Sequence, residues 1–454
     1  MERNRYKDFF SCIDKLSVTT SGLWLKGVFS NMMKQSVRRG AEEGIEMDPK
    51  TPPLYPIRHT ANIVRAYYTL GDRQSLQRAM VIIADCQSLN RPMELANGTW
   101  DISIADTELE VLDLEFKQVK TGKPKHVPLC AGRYPNLCFM TATAAWLAAG
   151  GLQDLAAELN DHRDGAPLLP FVFPCLQHTR TPAQSVTMMI QQVQAGHKNL
   201  AARNQAVAVD GLPSGSCGYS FRTGGLSVLL NKHPVELVVM KSGQATDKGG
   251  SVAFVYHANT LPVTVALTRP LVGYDAGAWG VLTHGGPRPA RLGPLLQYLT
   301  EHADAYPQFK QEDGFNELED YIDRALSLDG SIYPDFMRGR RLRVFIHWCF
   351  CSLVMWFPHF RSRGEMTAIT TQLVHQLSFS APMVNPAQTL DTWAEVLQKD
   401  FEERNRKLTV TPDMHDIDDQ VKQLNTAVLG LQRDCTCLRD DVSNSDKCSV
   451  QADT

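Results

Sequence analysis

The sequence lacks the features that mark membrane and secreted proteins. No apolar run reaches the roughly 20 residues that a membrane-spanning helix requires. The longest candidate, Val344 to Phe357, carries His347 and is interpreted as a buried core helix. The first residues also lack the apolar stretch of a signal peptide. We therefore expect no membrane association and an intracellular protein, nuclear if the cell is eukaryotic.

Cysteine spacing that is typical of zinc sites is also missing. The chain has 11 cysteines but no C-x-x-C pair. Cys349 with Cys351, and Cys435 with Cys437, form C-x-C pairs that no neighbouring His or Cys group completes. We therefore expect reduced thiols that are mostly buried, and neither a metal nor another cofactor.

A basic excess, the usual footprint of DNA-binding proteins, is missing as well, because the formal net charge is −3. The charges are unevenly distributed, however. Acidic residues are concentrated in 312–329 and after Asp413, whereas basic residues dominate 117–125 and 338–343. The charge of the whole chain therefore decides little about nucleic-acid binding.

Apolar residues make up 43% of the 454 residues. This share is enough to bury a sizeable core, and the length predicts two or three domains. Apolar residues at helical spacing predict helices at 60–89, 137–147, 184–193, 224–231, 295–299, 315–328 and 341–357. Between them, 108–119 alternates with period two, 121–124 is a turn by composition, and 126–129 is the returning strand. The fold class predicted is α+β, mostly α, with one conspicuous antiparallel hairpin.

A heptad pattern occupies the C-terminal part. Its apolar positions step by three and four from Met414 to Leu438, which predicts a coiled coil over 412–440. These positions favour self-association, and the alternative is that they pack on the chain's own body. The polar residues 441–454 are expected to be disordered.

Four segments carry the residues of chemical interest. They are Asn90-Arg91-Pro92-Met93-Glu94-Leu95, the hairpin tip from Val119 to Leu129, Tyr219-Ser220-Phe221-Arg222-Thr223-Gly224-Gly225, and Met240-Lys241-Ser242-Gly243-Gln244 with Tyr256 following. Singly, each has an ordinary explanation: a capping arginine, a polar turn, a salt-bridge arginine or a core tyrosine. Only the order and spacing of the four segments, taken together, point to a specific function.

In that order the segments resemble the catalytic domain of the tyrosine recombinases, over roughly residues 55–275. The family pattern has an arginine with a companion acid, a three-stranded sheet whose hairpin carries a lysine before Val-Pro-Leu, a second arginine box and a tyrosine nucleophile. The resemblance implies the following catalytic set: Arg91, Lys120, Tyr219, Arg222, Gln244 and Tyr256, with Glu94 as the companion acid. It further implies DNA contacts by Lys123, Lys125 and Lys241.

The chemistry explains these residue types. Two guanidinium groups can hold the anionic oxygens of a phosphodiester and stabilise the charge that grows in the transition state. A tyrosine hydroxyl that attacks phosphorus stores the bond energy as a phosphotyrosine. A hairpin lysine can then protonate the leaving 5′ oxygen. The resemblance implies that no metal takes part.

Two active-site positions depart from the family. Tyr219 stands where the family has a histidine, and tyrosine does not titrate near pH 7. Gln244 stands at a His or Trp position, and its interval to Tyr256 is longer than usual. Tyr274 is therefore kept as the alternative nucleophile.

The expected organisation is a helical remnant of a DNA-clamping domain at 1–50, the recombinase domain at 51–275, a helical accessory domain at 276–400, the coiled coil and the tail. Double-stranded DNA and further copies of the chain are the partners expected. A DNA-binding protein that has lost turnover, and an oligomeric scaffold built on the heptads, remain alternative functions.

Overall fold

The computed structural model of the chain describes residues 57–100, 103–117, 124–152, 171–176, 181–202, 216–233, 237–238, 241, 261–274, 286–309, 314–328, 340–381 and 385–408. The described part is mostly helical, with a small antiparallel sheet. The predicted fold class is thereby confirmed at this level. The N-terminal helices, the coiled coil and the tail lie outside the described residues.

The helices are α1 Ile57–Leu70, α2 Arg73–Ser88, α3 Pro92–Leu95, α4 Phe139–Ala148, α5 Pro182–Ala202, α6 Tyr219–Leu230, α7 Leu261–Ala266, α8 Leu292–Glu301, α9 Gly314–Ala325, α10 Arg340–Met355, α11 Phe357–Arg363, α12 Thr367–Ser380 and α13 Pro386–Asn405. Short 3-10 turns lie at Pro135–Leu137, Pro174–Leu176, Arg269–Val272, Pro307–Phe309 and Arg406–Leu408. The strands are β1 Ile104–Asp106, β2 Val111–Lys117 and β3 Pro124–Leu129.

The predicted helix over 60–89 is two helices, because the chain turns at Gly71 and Asp72. Gly71 has a positive φ of 67°, which glycine adopts without a side-chain clash. Asp72 then caps α2, its side chain accepting a hydrogen bond from the Ser75 N–H at 3.0 Å. The continuous apolar periodicity hid this break from the sequence-based prediction.

The predicted hairpin is confirmed. Strands β2 and β3 pair antiparallel with Leu114 opposite Val127, and β1 pairs with the other edge of β2. Leu112, Leu114, Val127 and Leu129 are buried, so one face of the hairpin joins the core. The connection between the two strands, which carries Lys120, lies outside the described residues.

The domain boundary expected at residue 276 is corrected by the core. The described residues belong to one compact unit, and a single hydrophobic cluster takes members from both sides of that boundary. Phe345 of α10 lies 6.1 Å from the Trp100 ring and 6.3 Å from the Phe139 ring, centroid to centroid. Helices after residue 276 therefore complete the core begun by α1–α4 instead of forming a separate accessory domain.

A second connection joins the sheet to the last long helix. The guanidinium of Arg404 in α13 donates to Glu110, at the turn between β1 and β2, and to the Pro289 carbonyl at 2.6 Å. Both charged side chains are largely buried. This ion pair ties the C-terminal end of α13 to the sheet that carries the hairpin.

Candidate functional site

The candidate site is organised around a hydrogen bond between two of the predicted segments. Arg222, in the first turns of α6, donates from its guanidinium to the main-chain carbonyl of Leu89. Leu89 ends α2 in the left-handed conformation and stands two residues before Arg91. Arg222 is only 8% exposed, so this bond is made in a largely water-excluded place. Helix α6 thereby holds the loop that carries Arg91.

Arg91 starts the short helix α3 and is exposed. The Arg91 N–H donates to the Glu94 carboxylate at 3.3 Å, which fixes the first turn of the helix. Pro92 occupies the first helical position, where its missing N–H has no cost. The local sequence therefore presents the Arg91 side chain at the surface while Glu94 is buried beneath it.

Charged groups of both segments act on the buried guanidinium of Arg222. Burial lowers the pKa of Arg222 below its usual value, with Glu94 acting in the opposite direction and the Arg91 charge lowering the pKa further. Asp85 and Tyr219 also act on Arg222 and favour its charged form. Arg91, Glu94 and Tyr219 thus all act on the charge of Arg222; that the four residues form one catalytic site stays a prediction of the resemblance.

The close approach of α6 to Leu89 depends on Gly225. A Cβ atom at this position would lie 2.3 Å from the Leu89 Cδ2 atom. Only a residue without a side chain allows this separation, because carbon atoms in van der Waals contact stay about 3.5–4.0 Å apart. Gly225 therefore sets the distance at which Arg222 meets the Leu89 carbonyl.

Tyr219 is 43% exposed at the first position of α6, three residues before Arg222. Its exposure leaves the phenol accessible to a ligand. The preceding residue holds the start of the helix in place, since the Gly218 N–H donates to Thr187 Oγ1 of α5 at 3.0 Å. A phenol at this position can donate a hydrogen bond to an anion that the two arginines bind.

The hairpin contributes a pair that the sequence analysis did not single out. His126 Nδ1 of β3 lies 2.8 Å from Asp113 Oδ2 of β2. Burial raises the pKa of Asp113, and His126 lowers it. Of the predicted hairpin lysines, Lys120 and Lys123 lie outside the described residues. Lys125 lies in β3, and its side chain is not among those described.

The expectation that Lys241 contacts DNA is corrected. Its side chain is 4% exposed, and its ammonium donates to Thr268 Oγ1 at 2.7 Å and to the Thr264 carbonyl at 3.2 Å. Burial lowers its pKa from 10.5 to about 8. A residue held in this way supports the packing of α7 and does not present a charge to a DNA backbone.

Arg343, the last residue of the basic segment 338–343, also faces inward. Its guanidinium donates to Asp323 at 2.6 Å and to Glu319 of α9. The charge of Arg343 is therefore already neutralised by two carboxylates, so its guanidinium is not free to contact an anionic ligand.

Among the candidate nucleophiles, Tyr274 is described and Tyr256 lies outside the described residues, as does Gln244. Tyr274 is 5% exposed, and burial raises the pKa of its hydroxyl far above the usual value. A buried neutral phenol is a poor nucleophile, because the attacking species is the phenolate. The geometry thus disfavours the alternative nucleophile.

Asp85 is a buried carboxyl group near the end of α2 that the sequence analysis did not single out. It lies on α2, fully buried, within electrostatic range of Arg222. Its signal in the sequence is one acid within the apolar run Val81-Ile82-Ile83-Ala84-Asp85-Cys86. Such a run usually belongs to a core helix, where an ionisable residue needs an explanation.

Within the described ranges, no group of three or more His, Cys, Asp or Glu residues is placed to hold a metal ion. None of the helices so described is long and apolar enough to span a bilayer. No protein-family profile, curated protein or solved structure matches the chain.

Proposed function

We propose that the chain cleaves and rejoins double-stranded DNA through a covalent phosphotyrosine intermediate. The observation that carries this proposal is the hydrogen bond from Arg222 to the Leu89 carbonyl, which couples the helix of one predicted arginine to the loop of the other. In support, the charge of Arg91 acts on Arg222, and the side chain of Tyr219 at the start of α6 is exposed. Such a site suits a phosphodiester, whose two non-bridging oxygens are anionic.

In the proposed reaction the Tyr256 hydroxyl gives its proton to solvent water and its oxygen attacks phosphorus. A tyrosine–phosphate bond forms, and the bond from phosphorus to the 5′ oxygen breaks. Lys120 protonates that leaving oxygen. Arg91 and Arg222 stabilise the charge on the non-bridging oxygens, and Tyr219 adds a hydrogen bond. Rejoining follows the same steps in reverse, with a 5′ hydroxyl attacking the phosphotyrosine.

The test is the trapping of a protein–DNA adduct. A pool of duplexes with a randomised centre and a nearby nick lets the strand downstream of a cleavage diffuse away, so that the phosphotyrosine accumulates. We expect a band that resists denaturing detergent, from which the trapped DNA can be sequenced. Tyr256→Phe abolishes the band, whereas Tyr274→Phe, which removes a buried hydroxyl, retains it. An adduct that survives Tyr256→Phe would contradict the assignment of the nucleophile.

The second candidate is a DNA-binding protein on the same arginine pair that has lost turnover. Tyr219 at the position where the family has a histidine favours it, because a histidine side chain can exchange protons near neutral pH and is missing from this position. In that case the chain binds duplex DNA with a steep salt dependence, and no adduct forms. If it neither binds DNA nor forms an adduct, a scaffold role remains, and deletion of 412–440 should then abolish self-association.

A further inference from the structure

Glu110 has a backbone conformation that a glutamate seldom adopts. It is the last residue of the turn between β1 and β2, and its φ is 57°, in the left-handed region that favours glycine. Asparagine and aspartate also occupy this region with some frequency, because their short side chains can bond locally. A glutamate lacks that advantage, so a contact made by its side chain has to hold the backbone in place.

That contact is a buried ion pair with Arg404, at the end of α13. One guanidinium nitrogen of Arg404 donates to the Glu110 carboxylate, and the other donates to the Pro289 carbonyl at 2.6 Å. The side chains of Arg404 and Glu110 are only 9% and 10% exposed. Two charges so far from water depend on each other, since removing one partner leaves an uncompensated buried charge. The pair therefore fixes the turn at Glu110.

Asn405, the neighbour of Arg404, fastens the same end of α13 a second time. Its side-chain amide accepts from the Arg288 N–H at 2.9 Å and donates to the Arg288 carbonyl at 2.9 Å. Arg288 in turn has its Nε atom 3.7 Å from the Glu110 carboxylate. These four residues form one connected group, which we call the anchor, and Glu110 is its point of attachment to the sheet.

The anchor acts at the root of the hairpin. Glu110 directly precedes Val111, the first residue of β2, which pairs with Asp106 of β1. From there β2 runs to Lys117 and pairs with β3, so the two strands move together. The seven residues of β2 rise about 3.3 Å each and make a lever of about 20 Å. A rotation of about 10° at the root displaces the far end by about 3.5 Å, more than the length of a hydrogen bond.

We propose that Arg404 and Glu110 are positioning residues, which set the angle at which the hairpin meets the predicted phosphate site. This inference rests on the proposed function, in which Lys120 of the hairpin protonates the leaving 5′ oxygen. A shift of about 1 Å in a reacting group can cost about 10²-fold in rate, so the angle of the lever matters. The glutamate is kept in a left-handed conformation because its carboxylate reaches Arg404 from there.

Removing the whole ion pair separates this role from a contribution to stability. In Glu110→Gly/Arg404→Met, glycine accepts the left-handed φ and methionine keeps the apolar stem, so neither charge of the pair stays buried alone. We expect the midpoint of thermal unfolding to stay within a few degrees of that of the parent. Adduct formation on the nicked duplex should nevertheless be about 10²-fold slower, with DNA affinity unchanged. A pair that served stability alone would leave the rate at the parent's value.

Hydrogen exchange follows the hold of the anchor on the hairpin without any DNA. We expect the amides of β2 and β3 to exchange about tenfold faster in the double variant. The matched control is Arg343→Met, since Arg343 pairs with Glu319 and Asp323 and joins α9 to α10 instead of holding the sheet. It reports how far a general loss of stability speeds exchange, and it should leave the rate of adduct formation unchanged.

Two results would overturn the proposal. In the first, exchange in the hairpin is unchanged or rises only as much as in Arg343→Met. In the second, exchange rises and the adduct still forms at the parent's rate. If the double variant does not fold, Glu110→Asn takes its place, because asparagine tolerates the left-handed region and lacks the charge. A parent that forms no adduct shows instead that the proposed function fails, and the positioning role then falls with it.

Discussion

The guanidinium of Arg222 donates to the carbonyl of Leu89 across a sequence separation of 133 residues. Leu89 stands in the left-handed conformation, so its carbonyl ends α2 without the partner that a continuing helix supplies. Arg222 therefore caps one helix while belonging to another. Through the loop that follows Leu89, the same bond sets where Arg91 starts α3.

Replacing Arg222 by lysine should separate its charge from its geometry. Lysine keeps the positive charge but lacks the planar fork, so we expect the buried Leu89 carbonyl to lose its partner. The free energy of unfolding should fall by about 1–3 kcal/mol, the cost of an unsatisfied buried acceptor. Urea titration measures this loss. Arg361→Lys is the control, because Arg361 makes an exposed ion pair with Asp391 and should change stability little. Equal effects at the two positions would contradict the capping role.

The packing of Gly225 on Leu89 gives a second prediction. Alanine at Gly225 places a Cβ atom 2.3 Å from Leu89 Cδ2, whereas the same atom at Gly293 of α8 meets nothing within 4 Å. Both changes gain helix propensity, up to about 1 kcal/mol. We therefore expect Gly225→Ala to be less stable than Gly293→Ala by about 1–3 kcal/mol, the usual cost of overpacking. Chemical denaturation of both variants checks this difference, and equal stabilities would show that Leu89 moves aside freely.

The role of Tyr219 can be tested by removing its hydroxyl and, separately, by placing the family's histidine at this position. If the phenol donates a hydrogen bond to the reacting phosphate, Tyr219→Phe should slow adduct formation on the nicked duplex about 10²-fold or more. Tyr219→His restores a donor that titrates near neutral pH, so its rate should exceed that of the phenylalanine variant and depend on pH. Identical rates for the parent and Tyr219→Phe would remove Tyr219 from the reaction.

The sequence predicts the hairpin and most helices well, because their apolar residues repeat with the period of the element. That Arg91 and Arg222 share a catalytic site stays a prediction, which comes only from the order of the motifs. The relationship that positions them is a bond to a main-chain carbonyl, and any residue at position 89 supplies such a carbonyl. No side-chain pattern can therefore reveal it.

Two expectations that the structure corrects, the domain boundary at residue 276 and the DNA contact of Lys241, failed for a different reason. The boundary at residue 276 was inferred from a change in pattern along the chain, whereas Phe345 and Phe139 meet through tertiary packing that local periodicity does not encode. The DNA contact expected of Lys241 was implied by the resemblance alone, which says nothing of how the side chain packs in this chain. Its burial requires acceptors from Thr264 and Thr268, more than 20 residues away in the sequence.

The buried Lys241 gives a prediction on the pH dependence of stability. Its pKa is lowered from 10.5 to about 8 by burial, so the folded protein binds fewer protons than the unfolded chain between these values. The free energy of unfolding should therefore rise as the pH increases from about 8 towards 10.5. The same gain disappears as the pH is lowered back to about 8. At 1.36 kcal/mol for each pH unit between the two pKa values, the contribution is about 3 kcal/mol at most.

Lys241→Met isolates this contribution, because methionine keeps the apolar stem and cannot take up a proton. Groups that Lys241 does not affect, such as the hydroxyl of Tyr298, whose pKa burial raises to about 12, titrate alike in both proteins and cancel in the comparison. We expect the free energy of unfolding to rise more steeply with pH in the parent than in Lys241→Met when both are measured by urea titration at pH 7.5 and 9.5. Parallel pH profiles would mean that Lys241 has the same pKa in both states, and hence that its ammonium reaches water in the folded protein.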